Sequence, residues 1–363
     1  MYNSSEQSRA EQSRAEQSRA EQSRAEQSSH LTWVDVLKGI GIILMVVGHN
    51  QSPFTNFIYS FHMPLFFVLA GFLFNYTKYS RDFGGFVRKK WHRLAVPYLV
   101  SSLVIFYPFW YLVGRHYGEL AAKNFDPAVQ FFGIFYASNF GLKFNGALWF
   151  VPCMFMALLL YWGIHRLSGG NRARLTVLTL VLAATGYGLS FVAELPWGLD
   201  IALVVQVFLL AGFFLRRYGF ASRWWWLTVL PLAAVVVLNG RIDTATRIYH
   251  NLFLYYLGGI AGTILMMKIA QCISRWLSCS VFEHFLAYCG RNSLMILLFQ
   301  MLGFKVASAL LVYGCHMPLQ VAKSYWPLRV VLVMASCIVV IELKKRLDMR
   351  MVRYGWWNRF FMW

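Results

Sequence analysis

Near the start of this chain an aspartate, a lysine and a histidine share one apolar run, where ionisable groups are costly and therefore functional candidates. The run reads Trp33-Val-Asp35-Val-Leu-Lys38-Gly39-Ile-Gly41-Ile-Ile-Leu-Met-Val-Val-Gly48-His49-Asn50. As a helix at about 100° per residue it sets Lys38 roughly 60° and His49 roughly 40° from Asp35, so all three lie on one narrow face. Along the axis Lys38 and His49 are spaced by roughly 16 Å. A cation suits phosphates. A neutral imidazole, with an ordinary pKa of about 6.5, accepts a proton near neutral pH as a general base, or attacks as a nucleophile. The blander readings are a local i,i+3 ion pair for Asp35 and Lys38 and a structural role for His49. The cation on the same face and the adjacent Asn50 favour chemistry for His49.

Two further groups extend this reading. His62 sits in Phe61-His62-Met63-Pro64-Leu-Phe66-Phe67, beside a proline that frees backbone carbonyls. It suits the same cavity as His49 or a helix-breaking structural role. Lys89 and Arg93, in Arg88-Lys89-Lys90-Trp91-His92-Arg93, form an i,i+4 pair leading into an apolar stretch. Such a pair fits a phosphate-rich ligand, although plain loop charge accounts for most of that segment.

The elements that must position these residues follow from composition. Of 363 residues, 58% are apolar and only 13% charged, too few charges to cover a soluble fold of this size. A soluble enzyme is excluded. The formal charge of +19 reflects 15 carboxylates against 34 Lys and Arg. The basic residues fall in short clusters between apolar stretches, which fits a bilayer and argues against nucleic acid. Ten stretches, from 34–50 to 326–343, are candidate spans. With the N-terminus placed in the cytoplasm, the inner loops carry 21 Lys and Arg and the outer loops seven. This positive-inside bias puts both termini in the cytoplasm. The expected fold class is all-α: a polytopic membrane protein of about ten transmembrane helices over 31–348.

The ends differ from the bundle. Residues 6–28 repeat Glu-Gln-Ser-Arg-Ala, with nothing apolar to bury, so 1–30 reads as a disordered cytoplasmic tail. That pentapeptide can be encoded as GAGCA written three times. A five-base repeat shifts the reading frame with each unit gained or lost, so a gene switched by replication slippage is expected, as in bacterial surface-modifying enzymes. Residues 349–363 mix arginines with Trp356, Trp357, Phe360 and Phe361 and read as an interfacial anchor. The six cysteines form no C-x-x-C pair and no His cluster has metal spacing, so no metal is expected.

Taken together, Asp35-x-x-Lys38-Gly39-x9-His49, Phe61-His62-x-Pro64-x-Phe66-Phe67-x3-Gly71-Phe72 and Arg93-Leu94-x2-Pro97-Tyr98 resemble the membrane-bound acyltransferase-3 family, with most likeness to bacterial sugar O-acetylases of the fucose 4-O-acetylase type. Asn145-Gly-Ala-Leu148-Trp149-Phe150 and Gly290-Arg-Asn-Ser293-Leu294 are similar to later family elements. The resemblance covers about 31–345. It implies a bacterial inner-membrane O-acyltransferase using cytoplasmic acetyl-CoA and a glycan or lipid-linked saccharide acceptor, such as lipopolysaccharide. It maps a basic-x10-His pattern onto Lys38 and His49, and a basic pair onto Lys89 and Arg93, with Lys at 38 and 89 where many members have Arg. Gln300 stands about where many members have a late histidine. No soluble esterase-like segment follows, so the membrane part is expected to complete the reaction.

The expected mechanism gathers the acetyl-CoA phosphates on Lys38, Lys89 and Arg93 and presents the thioester at His49. His49 is the catalytic residue, as a base or as an acetylated relay. Asn50 or Trp149 donates to the oxyanion, with Asp35, His62 and Asn145 in support. The competing reading is a transporter or flippase of a lipid-linked saccharide, whose histidine variants would still consume no acetyl-CoA. An assembly partner of polysaccharide machinery would tolerate loss of His49.

Overall fold

In lipid every backbone N–H and C=O must be satisfied within the protein, and long apolar runs meet that demand as helices. The computed structural model describes residues 32–114, 125–138, 140–219 and 225–351. The EQSRA tail, and the anchor piece beyond Met351, lie outside the described residues. Among those residues the fold is all-helical, with one isolated bridge pairing Asp243 and Ile248.

Six helices are long and apolar enough to cross a membrane: Thr55–Leu73, Phe83–Val113, Gly146–Ser168, Leu252–Trp276, Ser293–Gly314 and Trp326–Met351. Pro196–Val204 and Gln206–Tyr218, bent by 53°, add a seventh if they are one broken span. The other stretches marked in the sequence are helical too, as 32–48, Arg172–Leu189 and Trp225–Leu238. They lack the length or apolarity of a full crossing. Counted by length and composition the spans number six or seven among the described residues, against the expected ten. Trp225–Leu238 shows why: at about 1.5 Å per residue it falls well short of a bilayer core of about 30 Å.

Prolines set the local geometry of the Phe83–Val113 helix. Val96 N–H bonds to Trp91 O and Tyr107 N–H to Ser102 O, each reaching five residues back. Each of these donors directly precedes a proline, Pro97 or Pro108. A proline ring clashes with the carbonyl four residues earlier in a regular helix, and a widened turn relieves that clash. The Lys89–Arg93 stretch therefore runs into a wide turn rather than a regular one.

The described residues fall into two compact units, one taking in residues up to Ile40 with Met266–Ser293, the other Gly41–Leu265 with residues from Leu294 onward. In the first, helix 32–40 meets Val281–Arg291 through glycine: a Cβ on Gly39 would strike Leu286 O, and one on Gly290 would strike Asp35 O. In the second, His62–Phe72 meets Gln206–Tyr218 the same way, Gly71 against Leu209 O and Gly212 against Val68 O. Small residues at such crossings replace the hydrophobic driving force that lipid removes. Apolar side chains left uncovered on the spans, such as Phe253 (71% exposed) and Val331 (63%), fit a surface that lipid covers.

Candidate functional site

The second unit holds His49 and the groups around it. Helix 32–48 ends at Gly48, and His49 N–H bonds to Met45 O at 3.0 Å. Gln51 turns the chain with a φ of 52°, and the short helix Thr55–Tyr59 leads into His62–Phe72. Gly48 matters here, because a Cβ on it would lie 3.1 Å from the Tyr59 ring. With that space open, Tyr59 Oη comes within 3.1 Å of His49 Nδ1. The two rings meet edge to face at 5.9 Å, and the Tyr59 ring lies 4.8 Å from that of His62. His49 is partly exposed, whereas His62 is buried.

The two histidines have different freedoms. His62 Nδ1 is 2.9 Å from Ile58 O. A carbonyl only accepts, so Nδ1 carries the proton and donates it. That bond secures His62 to the preceding turn, the structural alternative raised from sequence. His49 Nδ1 faces a hydroxyl, which donates or accepts, so its ring nitrogens are not fixed by the bond alone.

A loop over residues 239–250 brings charge to this site. Asp243 and Ile248 exchange two backbone bonds of 2.9 Å, Asn239 Nδ2 donates to Tyr249 O at 3.1 Å, and Thr244 Oγ1 lies 3.1 Å from Tyr255 Oη. So held, the loop sets the Arg241 guanidinium carbon 5.5 Å from the Tyr59 ring centre, a cation–π distance. Burial pushes the Asp243 carboxyl above its ordinary range, opposed by hydrogen bonds from the Thr246 and Ala245 N–H groups and by Arg241.

The remaining expected site residues are placed as follows. Asn50 is fully buried and its Nδ2 donates to Trp326 O at 2.6 Å, while its Oδ1 has no hydrogen-bond partner. Asn145, ahead of the turn Gly146–Trp149, donates to Leu298 O at 2.9 Å and also leaves Oδ1 unpartnered. Each amide thus keeps a free acceptor and a second Nδ2 N–H beyond the one in use. Gln300, fully buried, has neither amide atom partnered. Trp149 is buried. Lys89 Nζ donates to Tyr79 Oη at 3.0 Å, which lowers the pKa of the half-buried Tyr79. Lys89 and Arg93 are both exposed. In the first unit Lys38 pairs with Asp35 at 3.1 Å, with Arg291 at 4.0 Å from the same carboxylate. The local ion pair therefore forms.

Residues 74–77, 165–175 and 213–217 line an open cleft of about 630 Å³ that carries Arg172, Arg216 and Arg217. Arg216 donates to Phe72 O and Phe74 O, and Arg172 to Tyr218 Oη. Among the described residues no three His, Cys, Asp or Glu are grouped to hold a metal ion.

Sequence reasoning did not single out Tyr59, Arg241, Asp200 or Arg247. Tyr59 had a signal, being one turn before His62 on the same face. Asp200 had a stronger one, an acid inside an apolar stretch. It is fully buried and takes two bonds from Arg247, Nε to Oδ2 at 2.7 Å and Nη2 to Oδ1 at 3.2 Å.

A family model described as an acyltransferase domain matches residues 31–342. The nodulation protein NolL of Mesorhizobium japonicum is 23% identical over 302 residues, spanning 73% of this chain and 74% of its own length. No solved structure matches this chain.

Proposed function

From the premise that this chain belongs to the acyltransferase-domain family, and is a multi-pass membrane acyltransferase, we propose that it transfers acetyl from acetyl-CoA to a hydroxyl of a cell-surface or lipid-linked glycan. The observation that carries this is His49, a partly exposed imidazole at a helix end, backed by the Tyr59 hydroxyl at 3.1 Å. The setting proposed is a bacterial inner membrane with both termini in the cytoplasm, supported by the positive-inside loop bias.

In this reaction the glycan oxygen attacks the thioester carbon. The new C–O bond forms, the C–S bond breaks, and the hydroxyl proton passes to His49 and on to the departing thiolate, giving free CoA. In the alternative order His49 takes the acetyl first and hands it to the glycan. Asn50 Oδ1 and Asn145 Oδ1, as free acceptors, hold substrate donors, and the second Nδ2 N–H of Asn50 donates to the oxyanion. The exposed Lys89 and Arg93 receive the donor's phosphates, and the arginine-lined cleft adds cation density on segments assigned to the cytoplasmic side. A phosphate role for Lys38 rests on its spacing from His49 in the sequence alone, since Asp35 already neutralises it. The EQSRA repeat supports phase-variable expression. Synonymous codons that interrupt the five-base period would remove that part.

The test uses inner membranes, labelled acetyl-CoA and acceptor glycan, comparing wild type with His49→Ala and Lys38→Ala. Label reaches glycan in wild type and is lost in His49→Ala. Equal labelling in all three would refute the mechanism. Mass analysis of surface glycan with and without the gene identifies the acyl group and its acceptor.

A further inference from the structure

We propose that Tyr59 and Arg241 are positioning residues for His49: Tyr59 commits the Nδ1 edge of the imidazole and leaves Nε2 as the reacting nitrogen, while Arg241 disfavours a lasting imidazolium. This deepens the reading above and rests on it.

The geometry is direct. Tyr59 Oη is 3.1 Å from His49 Nδ1, and the ring is held in place from several sides. Gly48 leaves room for one edge, and the His62 ring lies against it at 4.8 Å. Arg241 lies over it at 5.5 Å. His62 is anchored to Ile58 O, so it does not compete for the Tyr59 hydroxyl by turning its Nδ1. A nitrogen already engaged by the protein cannot approach a substrate, so chemistry passes to Nε2.

A hydroxyl serves here where a carboxylate would not serve equally. When Nε2 takes the glycan proton, Nδ1 already bears a proton and donates it to Tyr59 Oη. When Nε2 carries an acetyl group, Nδ1 has no proton and Tyr59 O–H donates to it. That second bond draws electron density from the ring and makes the imidazole a better leaving group. One phenol thus supports both orders of reaction, because it alternates between acceptor and donor. The charged and titratable groups acting on His49 are Tyr59, His62 and Arg241, and Asp243 acts on Tyr59. A cation beside an imidazole raises the energy of a second positive charge, so the proton moves on to the thiolate.

The experiment measures acetyl transfer by the full chain in membranes across pH. Tyr59→Phe lowers kcat by about tenfold or more, the scale of one lost hydrogen bond in the transition state, with KM for acetyl-CoA unchanged. Arg241→Gln lets the imidazole protonate more easily, so the acid limb of the kcat/KM profile moves to higher pH. Arg241→Lys restores the wild-type limb. The ¹⁵N signals of labelled His49 report a hydrogen-bonded Nδ1 that is lost in Tyr59→Phe. Full activity in Tyr59→Phe, a loss confined to KM, or an acid limb unmoved in Arg241→Gln overturns the inference. If His49→Ala keeps full activity, the parent reading falls as well. If His49→Ala is inactive while Tyr59→Phe is not, only this inference falls.

Discussion

Two polar groups in the second unit, the buried Asp200 and the partly exposed His49, are built on opposite plans. Around Asp200 both carboxylate oxygens are engaged. The carboxylate takes two bonds from Arg247 and a third from Leu195 N–H at 3.2 Å, and Glu194 adds a second carboxylate to Arg247 at 3.2 Å. Burial works against the Arg247 cation, and the hydrogen bonds and charge of Asp200 more than offset it, leaving its pKa above the ordinary value. Around His49 the valences are left open. The imidazole meets a hydroxyl that donates or accepts, and the next residue, Asn50, keeps a free oxygen. A saturated ionic cluster fixes backbone, whereas groups with spare hydrogen-bonding capacity can bind what comes and goes.

Substitutions at both places sharpen this contrast. His49→Ala is expected to cut acetyl transfer by at least about 10²–10⁴, the usual worth of a positioned base, and to leave thermal unfolding of the detergent-solubilised protein unchanged. Asp200→Ala does the reverse. It removes the fully buried partner of Arg247, whose side chain is 8% exposed, and leaves it only the half-exposed Glu194, at a cost of about 3 kcal/mol of stability, read as a fall in unfolding temperature. A stable Asp200→Ala protein would break the comparison. Gln300→Leu removes an amide with no partner. Stability should hold or rise, since an apolar isostere of an unpaired group is nearly neutral. Transfer should fall by about tenfold if the amide serves substrate, on the scale of one hydrogen bond. The smallest effects belong to the exposed pair. Lys89→Ala or Arg93→Ala should each raise KM for acetyl-CoA by severalfold with little change in kcat, and added salt should shrink the difference.

The family motifs and the helical nature of the chain were legible because lipid imposes a strong pattern: apolar runs, punctuated by charges that must have a purpose. Asp35 with Lys38 was legible as a local pair because i,i+3 spacing on a helix fixes proximity. Asp200 with Arg247 was not, because 47 positions separate them and only the folded loop brings them together. Arg241 read as outer-loop charge for the same reason. Nothing in its neighbours announces a distant tyrosine. The span count departed from expectation where helices are short, carry charge or are broken, as in the 53° bend between Pro196–Val204 and Gln206–Tyr218. Hydropathy registers the apolarity of such a stretch and is blind to its bend.

The paired glycines Gly71 and Gly212 have a mechanical consequence. With each backbone seated against the other helix, the His62–Phe72 and Gln206–Tyr218 segments are riveted together. A side chain at either position would meet the opposite backbone, so the close approach of the two helices depends on both glycines. Bulky replacements at either glycine would therefore test the joint itself, independently of the acid–base groups nearby.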